Sequence, residues 1–82
     1  MDMPPAIYDH AFTGPVVINE NFGGEISAYD GPCYPWTGSQ ACAVRRDGTC
    51  FIFAMRGKLT PDLKRHEIGH CNGWPADHPG AR

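Results

Sequence analysis

The residues of this chain best suited to chemistry are His66, Glu67 and His70, in the run His66-Glu67-Ile68-Gly69-His70, followed by Cys71-Asn72-Gly73 and then by His78. Residues four apart on an α-helix lie on one face, one turn above the other, so both imidazoles of an HExxH pattern can reach a single ion. Bonds of about 2.0–2.1 Å from zinc to nitrogen demand that convergence. Glu67 is offset by one position. It can hydrogen-bond a water at the ion without ligating the ion itself, which suits a general base that later returns the proton to a leaving amine. Three of the four histidines fall between residues 66 and 82, and His78 is the expected third ligand, with Asp77 as the alternative. The plainer alternative is an ordinary helix face, with His70 favoured near the helix C-terminus.

The run His66–Gly73 resembles the zincin metallopeptidases, and within them the metzincin signature HExxHxxGxxH. The glycine ends the helix so that the chain can double back and offer a third ligand. In that family the ligand follows the glycine by three residues. Here that position is Ala76, with Asp77 and His78 just beyond it. Gly73-Trp74-Pro75-Ala76-Asp77-His78 is also similar to the Gly-x-Pro-Asp context of snapalysin-type members, with one residue added. The resemblance implies a zinc cofactor and hydrolysis of peptide bonds, with Glu67 as the catalytic residue and His66 and His70 as metal ligands; as the third, His78 is favoured over Asp77 because imidazole is the commoner zinc ligand in such triads. It further implies a peptide or protein substrate held along an edge strand, here Ala41–Arg45, by β-augmentation. Two other functions are compatible with the residues: a non-catalytic zinc-stabilised binding module, and hydrolysis of a non-protein amide such as a peptidoglycan stem peptide.

The elements that must position these groups are few. Thr60 is a good N-cap, Pro61 suits the first helical position, Asp62 suits the positive end of the dipole, and Asn72-Gly73 is a stop, so a helix is expected over residues 61–72. Before it, Ala41–Arg45 and Cys50–Met55 flank Asp47-Gly48, the turn chemistry of a two-residue type I′ hairpin. The nearly all-apolar second strand should be interior and buried on both faces. Pro15–Glu20 is a β-branched strand, and Glu25–Asp30 alternates polar and apolar residues as a further strand would. Residues 1–14 are broken by Pro4, Pro5 and Gly14 into an irregular arm. The expected fold is α+β: a small, mostly antiparallel sheet of three to four strands and one C-terminal helix, forming one unit over residues 1–82. Leu63, Ile68 and Cys71 should face the sheet.

Composition narrows the remaining choices. The chain has 82 residues, 41% of them hydrophobic and 20% charged, with 10 Gly and 8 Pro. That much Gly and Pro excludes a long-helix bundle. A net charge of −2 with scattered Lys and Arg provides no basic stripe for nucleic acid or an anionic membrane. No apolar run is long enough to span a bilayer, and the first residues carry no secretory leader pattern. A monomer is expected. Cys33, Cys42, Cys50 and Cys71 lack C-x-x-C spacing, so two disulfides suit a domain this small, and they would point to an extracytoplasmic setting. With a two-residue turn Arg45 faces Cys50, so Cys42 and Cys50 lie on opposite faces and should not pair. Among the other candidates, His10 reads as a surface residue, and Tyr8, Tyr29 and Tyr34 could each polarise a carbonyl or simply pack and hydrogen-bond. Trp36 and Trp74 are expected to pack, with Trp74 also placed where it could wall a substrate pocket.

Overall fold

The hairpin forms at the expected turn. A computed structural model describing residues 1–82 has Asp47 and Gly48 both at positive φ (51° and 77°), as a type I′ turn requires. Strands β2 (Ala41–Arg46) and β3 (Thr49–Met55) pair antiparallel with Arg45 opposite Cys50. Strand β1 (Val16–Phe22) lies on the other side of β3 and pairs with it in parallel, with Ile18 opposite Ile52. The sheet is therefore mixed and three-stranded, in the order β1-β3-β2. With the helix α1 (Pro61–Cys71) it makes an α+β fold.

Residues 25–30 do not form a strand. Gly24–Ser27 is a turn of 3-10 helix, because its backbone groups find local partners: the Ala28 N–H donates to the Glu25 carbonyl and the Cys33 N–H to the Ile26 carbonyl. The apolar position is still used, since Ile26 is fully buried. Gly31 closes against this turn, where a Cβ would lie 2.3 Å from the Glu25 carbonyl oxygen.

β3 is central, but it is fully buried on one face only. Cys50, Ile52 and Ala54 are buried while Phe51, Phe53 and Met55 are half-buried. The reason is that one helix covers one side, over β2 and β3, while irregular chain around Ile26 covers the other less completely. Two disulfides tie these layers, one on each face. Cys50–Cys71 joins β3 to the end of α1, and Cys33–Cys42 joins the 28–40 loop to β2. Cys50, Ile52 and Cys71 form the core cluster, with Phe12, Ala43, Leu59 and Ile68 packed against it. No helix is long and apolar enough to cross a membrane.

Candidate metal centre

The helix bearing HExxH starts and stops as its end residues dictate. The Thr60 hydroxyl accepts from the Leu63 N–H (3.1 Å), with Pro61 in the first turn. At the other end the Gly73 N–H donates to the His70 carbonyl and the Trp74 N–H to the Gly69 carbonyl, both 3.0 Å, with Gly73 at φ 110°. That pair of bonds is a Schellman motif, and it turns the chain back under the helix. A second reversal follows, in which the His78 N–H donates to the Pro75 carbonyl (3.0 Å) and His78 itself takes a left-handed φ of 59°. Histidine tolerates that region better than most residues.

The two reversals bring His78 to the helix pair. His66 and His70 Nε2 are 3.2 Å apart, His70 and His78 Nε2 3.1 Å, and His78 and His66 Nε2 3.2 Å. These three histidines lie close enough to hold a metal ion. Asp77 is exposed and outside the cluster.

The donor set suits a cation. His70 Nδ1 lies 2.7 Å from the Trp74 carbonyl oxygen, and His66 Nδ1 lies 2.5 Å from the Asp2 carbonyl oxygen. A carbonyl only accepts, so each Nδ1 carries the hydrogen, which leaves each neutral ring with a lone pair on Nε2. A positive centre between lone pairs converging at this range would offset their repulsion. Tetrahedral zinc with bonds of about 2.0–2.1 Å sets its ligand nitrogens about 3.3–3.4 Å apart, close to the separations present. Burial, the main cause, also pushes His70 below the usual imidazole range and favours its neutral form. Asp77 does not orient a ligand ring, although its position in the sequence suits that task; two backbone carbonyls do so instead.

Trp74 is the floor of the cluster. Its ring lies 5.1 Å from that of His66, 4.9 Å from that of His70 and 4.8 Å from that of His78. The residue is 2% exposed, and its indole N–H donates to the Pro79 carbonyl (2.8 Å).

The histidines open on a cavity of about 350 Å³ whose wall includes Glu67, Trp36 and Ala41, Cys42 and Ala43 of β2. Glu67 is 4% exposed, and burial raises its carboxyl to about 7; a cation in the triad would draw it back down. β2 pairs only with β3, so its outer edge is free beside this cavity. Trp36 does not pack into the core. It is 56% exposed and stands at the cavity wall on the loop closed by Cys33–Cys42. Its carbonyl accepts from the Ser39 hydroxyl (2.8 Å). None of Tyr8, Tyr29 and Tyr34 lines the cavity, and Tyr29 and Tyr34 pair with each other on the surface. His10 is exposed and apart from the centre. The groups that sequence reasoning missed are the backbone carbonyls of Asp2 and Trp74 and the exposed position of Trp36. A carbonyl has no side-chain signature, and no local pattern distinguishes a wall tryptophan from a packed one.

No family model matches the chain, and neither a curated protein nor a solved structure matches it.

Proposed function

We propose that the protein is a small zinc-dependent metallopeptidase of metzincin-like type, with His66, His70 and His78 holding the ion and Glu67 handling the proton. The observation that carries this reading is the sharing of one cavity by three convergent Nε2 atoms, one buried carboxylate and an edge strand. Zinc bound there would supply a Lewis acid for the scissile carbonyl and lower the pKa of water. Glu67 lies outside the donor set, so its carboxylate is available to take a proton from the attacking water and pass it to the leaving amine. A structural site would have no use for that residue type at that position. The free edge of β2 offers backbone donors and acceptors to an extended peptide, and Ala41 and Ala43 keep the adjoining cavity wall low. The two disulfides fit work in an oxidising, extracytoplasmic setting.

The test compares the wild-type protein with Glu67→Gln on an unfolded casein-like substrate and on peptide libraries, with zinc content and melting temperature measured for both. The reading requires equal zinc and equal stability, with cleavage by the wild type alone. A fourth protein ligand closing the ion, or equal cleavage by both proteins, would overturn it.

A further inference from the structure

The segment from Asp2 to His10 has no regular secondary structure, yet its backbone is engaged by the helix and by the chain after it. The Asp2 carbonyl accepts from His66 Nδ1. Met3 and Arg82 exchange backbone hydrogen bonds of 3.0 and 2.9 Å. The Pro4 carbonyl accepts from Arg82 Nε (3.0 Å), and the Asn72 amide donates to the carbonyls of Tyr8 (2.9 Å) and His10 (2.7 Å). Asp9 binds both Arg65 on the helix and Arg82. The side chain of Pro4 is fully buried in a notch that Gly69 leaves, where a Cβ would stand 2.5 Å from the proline ring. Gly69 lies between Ile68 and the ligand His70, in the last turn of the helix, where glycine is less favourable than most residues. Its absent side chain admits the arm.

We propose that this arm is a positioning element of the metal centre. The Asp2 carbonyl selects the His66 tautomer whose Nε2 is unprotonated, and Pro4, Asp9 and Asn72 hold that carbonyl in place. The inference rests on the metal reading above and extends it to residues far away in sequence. His70 receives the same service from Trp74, four residues on; His66 has no such local partner and uses one 64 residues away. Groups that orient a ligand imidazole typically change metal affinity 10–100-fold when lost. Because coupling is reciprocal, the ion must also tighten the arm by the same factor.

Three measurements test this. Long-range nitrogen–proton spectra of the intact, metal-free protein must place the His66 hydrogen on Nδ1; finding it on Nε2 overturns the proposal. Zinc titration by chelator competition must give a Kd 10–100-fold weaker for Gly69→Ala and for a chain lacking residues 1–2. In both variants His70 should keep its tautomer while His66 populates both. Gly69→Ala favours the helix itself, so its weaker binding cannot be assigned to lost helicity, and it serves if the shortened chain does not fold. Zinc must also slow exchange of the Met3 and Arg82 amides in the intact protein. Unchanged affinity with the arm displaced overturns the positioning role alone, whereas an intact protein that binds no zinc overturns the metal reading itself.

Discussion

Trp74 holds His70 twice: its indole stacks on the imidazole with planes 15° apart, and its carbonyl accepts from Nδ1 of the same ring at 2.7 Å. One residue thus fixes both the plane and the tautomer of a candidate ligand. Its indole N–H, bonded to Pro79, also secures the segment that carries His78. Trp74→Leu should destabilise the fold by about 3 kcal/mol, the lower end for loss of a buried tryptophan, and should weaken metal binding. The backbone carbonyl bond survives either substitution, and Trp74→Phe also keeps part of the stacking, so its loss should be smaller in both. In a Trp36→Phe background Trp74 is the only tryptophan, and cobalt should quench its emission stoichiometrically.

His78 and Asp77 should separate cleanly. Only His78 brings a nitrogen to the cluster, so His78→Ala should abolish stoichiometric zinc, measured by native mass spectrometry. Asp77→Ala should leave it unchanged, because that carboxylate is exposed and orients no ligand.

Eleven of the 82 residues are buried, and so thin a core should make stability strongly metal-dependent. Zinc at about 100 times its Kd stabilises by about 2.7 kcal/mol. The melting temperature should rise with zinc and fall with chelator. A melting curve indifferent to both would contradict zinc binding by the folded state.

The two disulfides should not be equal. Cys50–Cys71 spans 21 residues and both its cysteines are buried, one of them next to His70. Loop entropy assigns it about 3 kcal/mol and the shorter Cys33–Cys42 loop slightly less. Replacing Cys50 and Cys71 by Ala should lower the melting temperature and release metal. Replacing Cys33 and Cys42 should chiefly loosen Trp36 and the cavity wall, affecting cleavage more than zinc content.

Acid should unfold the protein partly through Asp9. Its carboxyl is held below the ordinary value of 3.8, first by the hydrogen bond from Arg65 and then by the charges of Arg65 and Arg82. The unfolded chain therefore binds this proton more readily than the folded one. The stabilisation is complete above the unfolded value and is lost as pH falls from about 4 through the lower, folded value. Glu25, lowered by the Gly23 N–H, acts with the same sign. Asp9→Asn should reduce stability near neutrality and flatten its dependence on pH below about 4, as measured by urea denaturation at each pH.

Local chemistry was enough to specify the helix, its caps, the Asp47-Gly48 hairpin and the exclusion of a Cys42–Cys50 pair. Each rests on contacts between residues close in sequence, where periodicity, φ preference and strand register act directly. The convergence of His66 and His70 was legible for the same reason. Tertiary structure decided the rest. β1 runs parallel to β3, a pairing that depends on the whole connection between them. Glu25–Asp30 alternates like a strand, yet both edges of β3 are already taken by β1 and β2, so the segment coils and buries Ile26 alone. His78 was chosen over Asp77 by two chain reversals whose sum no spacing rule encodes. The carbonyl of Asp2 reached His66 because a missing Cβ at Gly69 lets Pro4 lie against the helix. Backbone groups carry no side-chain identity, so contacts between distant ones become definite only when the chain has closed on itself.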